Sequence, residues 1–143
     1  MKFLKNAEIK RNPVCVNDFW LLPGHEIPSG PGAYILLSNP EVKFTYPDGK
    51  SSVFYIGMAT NLKSRLEQHL KYSKEARDDR KLTLYWPRYE YMAKFGGRYT
   101  FVETWQGMKP KALEDILLST FAKHYKSFPT ANGAGSWTRL VQG

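Results

Sequence analysis

Cysteine is almost absent: Cys15 is the one thiol in 143 residues. A single thiol allows no intramolecular disulfide framework and no cysteine-built zinc cluster. No paired histidine motif marks Cys15 as a nucleophile, so it reads as a small buried hydrophobe. Long apolar runs are missing too, and none approaches the roughly 18–20 residues of a membrane span. The opening Met1-Lys2-Phe3-Leu4-Lys5-Asn6 lacks the apolar stretch of a secretory signal. These absences point to a reducing, cytoplasmic setting. Acid is also scarce, with 13 Asp plus Glu against 21 Lys plus Arg, a formal charge of +8 and a pI near 9.6. Such a surplus favours a polyanionic partner, either nucleic acid or an acidic membrane surface.

What is present suits one folded domain. Hydrophobic residues make 42 % and charged residues 24 % of the chain. A chain of this length removes roughly 68–70 % of its unfolded surface from water. The charge is uneven: residues 59–111 hold twelve bases against six acids, which accounts for most of the surplus. Tyr72, Tyr85, Trp86, Tyr89, Tyr91 and Tyr99 lie among those bases. Aromatic faces beside cations suit nucleobases beside phosphates.

Residues 1–29 read as an N-terminal extension with one strand, and 30–143 as a single globular domain. Ser29-Gly30-Pro31-Gly32 punctuates the start, and Ala33–Leu37 follows as a buried strand. Residues 52–56 form a second strand, rich in β-branched and aromatic side chains. Asn39-Pro40 and Pro47-Asp48-Gly49 between them predict an elongated hairpin. From Asn61 the period becomes helical, with Leu62, Leu66 and Leu70 in step, Asn61 or Thr60 as N-cap, and an end near Ala76. A shorter helix over 88–95 stops at Gly96-Gly97, and 98–105 alternates as a third strand. Pro110 opens a last helix with Leu113, Ile116, Leu117, Thr120 and Phe121 on its inner stripe. The turn-rich tail from Phe128 has room for one more short strand. The order is β-β-α-α-β-α, a small α+β domain.

Gly32-Ala33-Tyr34 on the first strand and Tyr55-Ile56-Gly57 ending the second resemble the paired signatures of the GIY-YIG nuclease family. The helix that follows holds Arg65 and His69, which match the family's arginine and the histidine found four residues on in many members. Glu114 on the last helix matches the metal-binding glutamate, and Asn132 the terminal asparagine. The resemblance spans about residues 30–133 and implies a three-stranded antiparallel sheet flanked by helices. Two departures stand out. Ala33 replaces isoleucine, and the spacing of 21 between Tyr34 and Tyr55 is longer than usual. Residues 38–52 therefore read as an insertion. Its Lys43, Phe44, Tyr46 and Lys50 make either a substrate-contact arm or, more simply, a longer hairpin with a solvated tip.

Singly, each matching residue has a plain structural reading. Gly32 and Gly57 suit turns, the tyrosines suit core packing, and Arg65 suits a solvated helix face. An acid near a helix start complements the macrodipole, and Asn132-Gly133 is a turn dipeptide. Together they form an ordered set. Arg65 and His69 are an i, i+4 pair, share a stripe with Leu62 and Leu66, and so lie at the margin of the core-facing surface. Polar groups turned toward an apolar margin need partners there, which two tyrosines and a carboxylate would provide.

By resemblance, the activity is phosphodiester hydrolysis, most simply of DNA, with Tyr34, Tyr55, Arg65, His69, Glu114 and Asn132 as site residues and Gly32 and Gly57 as structural ones. Glu114 would hold one divalent cation, Mg²⁺ or alternatively Mn²⁺. Arg65 would face the phosphate oxygens, and either tyrosine would orient or deprotonate the water. A free tyrosine has a pKa of about 10, so a base near neutral pH needs the field of Arg65 and the metal. His69 would relay the proton or bind phosphate, and Asn132 would position the site. Lys63, Lys71, Lys74, Arg77, Arg80, Lys81, Arg88 and Arg98 become candidates for backbone contacts. The set decides for nucleic acid over a membrane. Family members commonly carry a targeting domain, for which about 30 residues before the first signature and eleven after Asn132 leave no room. Either the core recognises its substrate or a targeting protein partner directs it. The alternative is a non-catalytic nucleic-acid-binding module with the same fold.

Overall fold

The computed structural model describes residues 14–15, 27–79, 86–95, 97–104 and 107–132. Gly-Ala-Tyr-Ile-Leu-Leu forms strand β2 (Gly32–Leu37), and every residue of it is buried. A strand apolar on both faces belongs in the middle of a covered sheet. The sheet order is β1-β6-β2-β5, all antiparallel, with β1 at Val14–Cys15, β5 at Val53–Ala59 and β6 at Arg98–Glu103. Its three long members are the expected three-stranded sheet. The two-residue β1, paired at Val14 to Tyr99 and Cys15 to Arg98, adds a fourth strand. With α1 (Leu62–Asp78), α2 (Pro87–Phe95) and α3 (Pro110–Tyr125), the long elements run β-β-α-α-β-α in chain order.

The two-residue period of β2 divides the core. Ala33, Ile35 and Leu37 pack with Leu113, Leu117, Leu118 and Phe121 of α3. Tyr34 and Leu36 point to the opposite face, with Leu62 and Leu66 of α1 and Met92 of α2. Asn61 caps α1, its Oδ1 accepting from the Ser64 amide at 3.0 Å. One expectation for α3 fails: Ile116 is exposed, and Thr120 bonds back to the Ile116 carbonyl. The buried stripe is Leu113, Leu117, Leu118, Phe121 and Tyr125, about a third of a turn away.

Two features were not visible in the strand pattern. The β2–β5 register shifts between Leu36, opposite Tyr55, and Leu37, opposite Val53. Phe54 is the extra residue of this bulge, and it packs on the same face as Tyr34. The insertion also has structure of its own, a hairpin of β3 (Phe44–Tyr46) and β4 (Gly49–Ser51). Phe44 contacts Phe54, Tyr91 and Phe95, while Tyr46 packs on Phe121 and Tyr125. The Tyr46 hydroxyl donates to the Val53 carbonyl at 2.7 Å and accepts from the Thr130 amide at 3.1 Å. Phe44 and Tyr46 are therefore staples of the core and not contact residues of an arm. Lys43 and Lys50 are exposed.

No helix among the described residues is long and apolar enough to cross a membrane. The expected cap at Gly96, the basic residues Arg80 and Lys81, Tyr85, most of 1–26 and the tail beyond Asn132 lie outside the described residues. The staple can be tested by urea unfolding. Tyr46→Phe leaves the buried Val53 carbonyl without its donor and the part-buried Thr130 amide without its acceptor, and should cost about 1–2 kcal/mol. Lys50→Ala should stay within about 0.5 kcal/mol. Equal, small effects would contradict the docked hairpin.

Candidate active site

Tyr34 faces Gly57 across the β2–β5 pair. A Cβ at Gly57 would come 2.5 Å from the Tyr34 hydroxyl oxygen, so glycine there is what lets the phenol lie flat over β5. The same constraint works two residues before Tyr34 on β2: a Cβ at Gly32 would collide with the Val102 carbonyl and with Leu62 of α1. Both signature glycines are thus close-approach positions inside strands, and the expectation of turn glycines gives way to packing.

The Tyr34 hydroxyl meets His69 Nε2 at 2.6 Å, and both side chains are about 1 % exposed. Tyr55, on the same face of β5, places its ring 6.0 Å from Tyr34 and 5.8 Å from His69. Tyr55 is half-buried, so of the two phenols it is the one open to solvent. Arg65, a turn before His69, is exposed, and among the described residues its guanidinium has no hydrogen-bond or ion-pair partner. Its charge still reaches Tyr34, Tyr55 and His69. Arg65 also lines a groove of about 520 Å³ with Thr60, Ser64, Gln68, Lys71 and Tyr72.

Burial dominates the proton chemistry. It holds the Tyr34 phenol well above its ordinary range, with Tyr55 adding to the rise and Arg65 and Arg88 opposing it. Tyr55 is raised as well, first by burial and then by the Glu114 carboxylate, against the pull of Arg88 and Arg65. Burial outweighs the downward pull of the arginines on both phenols. Contact between the two hydroxyls favours the proton on Tyr34 and the phenolate on Tyr55. His69 is lowered to about 3 by burial, Arg88 and Arg65. It is neutral near pH 7, which removes the expectation that it binds phosphate as a cation. Among the described residues its Nδ1 is buried without a hydrogen-bond partner.

Two expected residues reach the cluster indirectly. Glu114 shares the inward arc of α3 with Leu113 and Leu117, and its side chain is 16 % exposed. Lys111 Nζ binds Glu114 at 2.9 Å and Asp115 at the same distance. Asn132 acts on backbone. Its Nδ2 donates to the Ile56 carbonyl at 2.8 Å and its Oδ1 accepts from the Ile56 amide at 3.1 Å. The carboxamide pairs with the free edge of β5 as a strand residue would, beside Tyr55.

The basic residues separate into three groups. Lys71 and Lys74 are exposed and Lys63 half-buried along α1, and Arg77 is exposed but bonded to Asp78 at 3.0 Å. Arg98 is engaged within the fold, donating to the Ser38 carbonyl and to Ser52 Oγ at 3.0 Å each, and so is not a backbone-contact residue. Arg88 belongs to the tyrosine cluster, 5.5 Å from the Tyr55 ring. Sequence reasoning had placed it with the general basic surface. The one signal that could have separated it is its place among Trp86, Tyr89 and Tyr91 at the start of a helix.

No protein-family model, curated protein or solved structure matches the chain. A functional reading therefore rests on its own residues.

The buried histidine makes stability depend on pH in a defined direction. Above the ordinary histidine range, near 6.5, His69 is neutral folded and unfolded. Below it the unfolded chain takes a proton that the folded protein refuses until about pH 3. Stability is thus lost as pH falls from 6.5. Thermal melts from pH 7.5 to 4.5 should fall more steeply for wild type than for His69→Phe; parallel curves would contradict a buried neutral histidine.

Proposed function

We propose that the protein is a metal-dependent endonuclease of the GIY-YIG type, acting on DNA and directed by its own basic surface or by a targeting protein partner. The observation that carries the reading is the buried Tyr34–His69 pair, with the Tyr55 ring 6.0 Å from Tyr34 and the charges of Arg65 and Arg88 acting on all three. Two phenols on a neutral imidazole, beside unpaired guanidinium charge and a lone carboxylate, match the needs of phosphodiester hydrolysis.

In this reading Arg65, exposed at the mouth, meets the oxygens of the scissile phosphate, where guanidinium geometry is well suited. The attacking water lies against Tyr55, the accessible phenol. His69 with its proton on Nε2 donates to Tyr34, and Tyr34 donates in turn to Tyr55. That direction concentrates donors on the Tyr55 oxygen and makes its phenolate the base that accepts the water's proton. Phosphate approaching the arginines also offsets the smaller part of His69's lowering that they cause, the larger part being burial.

Glu114 is the residue that would hold Mg²⁺. Among the described residues no group of three or more His, Cys, Asp or Glu is placed to hold a metal. A single carboxylate still fits an ion that takes its other ligands from water and substrate phosphate, as Mg²⁺ commonly does. Bound there, the ion would supply charge to the leaving oxygen. Lys111 now occupies that carboxylate and would have to turn aside. Asn132 fixes the strand that carries Tyr55.

Single-turnover cleavage of duplex, flapped and branched DNA with Mg²⁺ tests the reading. Arg65→Ala and Glu114→Ala should each slow the bound-state step by about 10²–10³, Arg65→Ala with a smaller loss of affinity. The wild-type rate should climb from pH 6 to 9 as the Tyr55 phenolate fraction grows. Salt-dependent binding with no cleavage under any divalent metal would favour the non-catalytic module instead.

A further inference from the structure

α2 brings a charge into the cluster and an open aromatic face beside it. The Arg88 guanidinium carbon lies 4.8 Å from the Tyr89 ring, 5.3 Å from Trp86 and 5.5 Å from Tyr55. Its charge acts on Tyr34, Tyr55 and His69. Among the described residues Arg88 Nε is buried with no hydrogen-bond partner, and no carboxylate pairs with the guanidinium. A buried donor without an acceptor is costly, and an anionic oxygen is the acceptor that repairs it most strongly. Trp86, two residues earlier, is 60 % exposed. Arg88 lies over its ring at 5.3 Å, and more than half of the residue's surface is exposed.

We propose that Trp86 and Arg88 form a nucleotide subsite beside the tyrosine pair, Arg88 taking a backbone phosphate next to the scissile one and Trp86 stacking on the base of that nucleotide. The placement beside a scissile bond rests on the nuclease reading above. A base inside a duplex has its faces covered by its neighbours and offers only edges. The subsite therefore selects an unpaired nucleotide, as in a flap, a junction or a single-stranded end. Arg65 and Arg88, on different helices, would grip successive phosphates on either side of Tyr55.

Fluorescence anisotropy in EDTA over a salt series tests this, using a labelled duplex and the same duplex with an unpaired flap. Thermal melts confirm that each variant folds, and single-turnover cleavage with Mg²⁺ runs alongside. Trp86→Ala should weaken flap binding about tenfold while duplex binding stays within about twofold. Arg88→Gln should weaken both and reduce the salt slope by about one phosphate. Arg88→Lys should restore the slope but not the full affinity, because an ammonium neither stacks nor forks. Affinity and salt slope unchanged in Arg88→Gln, or equal losses on flap and duplex in Trp86→Ala, would overturn the subsite and leave Arg88 as a packing cation. A wild type that binds the flap but cleaves nothing overturns the nuclease reading alone, and the same affinities still decide the subsite. A wild type that binds no DNA overturns both.

Discussion

The hydrogen bond between the Tyr34 hydroxyl and His69 Nε2, made where neither side chain meets solvent, ties the central strand to the first helix. A polar pair at that depth is tolerated only if each member satisfies the other. Much of the surrounding geometry follows from this. Gly57 must lack a side chain so that the phenol can cross β5, and Gly32 must lack one so that α1 can descend on the sheet. With His69 anchored, the helical period sets Arg65 one turn up, at the rim. Tyr89 of α2 packs against the imidazole at 5.3 Å and carries Arg88 in with it.

The other side of the site is held by backbone contacts. β5 is the outer strand, with one edge open. Asn132 pairs with that edge at Ile56, and the Ala131 amide donates to the Phe54 carbonyl at 2.8 Å. Tyr46 adds its hydroxyl at Val53 and Thr130. The insertion and the segment after α3 thus converge on the strand that carries Tyr55, sealing an edge that would otherwise be exposed. Arg98 closes the far end through Ser38 and Ser52.

Much of this frame was legible in the residues. Strand alternation places Tyr34 opposite in sense to Ala33, the N-cap narrows to Asn61 or Thr60, and the i, i+4 spacing puts Arg65 and His69 together at the core margin. Packing settles the cap on Asn61 and takes His69 fully inside while Arg65 stays exposed. The remainder depended on contacts between distant segments. The Phe54 bulge cannot be seen in one strand, because it is a mismatch between two. Ile116 and Leu118 are equally apolar, and only the position of α3 on the sheet decides which is covered. Arg88 and Arg98 look alike as cations; one sits among aromatic rings and the other on a carbonyl and a hydroxyl. The rise in the tyrosines' proton affinity is not legible in the sequence for a related reason, since the depth of burial that outweighs the arginines is a property of the packed protein.

The account joins a dry proton chain to a wet cationic rim, the phenols and imidazole setting the chemistry while Arg65, Arg88 and the α1 lysines hold a polyanion against it. The measurement that tests this most directly is the single-turnover cleavage rate of saturated, labelled flap DNA by Tyr34→Phe. Phenylalanine keeps the ring over Gly57 and removes only the hydroxyl that bonds His69. The account predicts a folded protein with near wild-type DNA affinity and a cleavage rate lower by about a hundredfold or more. A rate equal to that of wild type would show that the buried chain takes no part in cleavage, and would contradict the account at its centre.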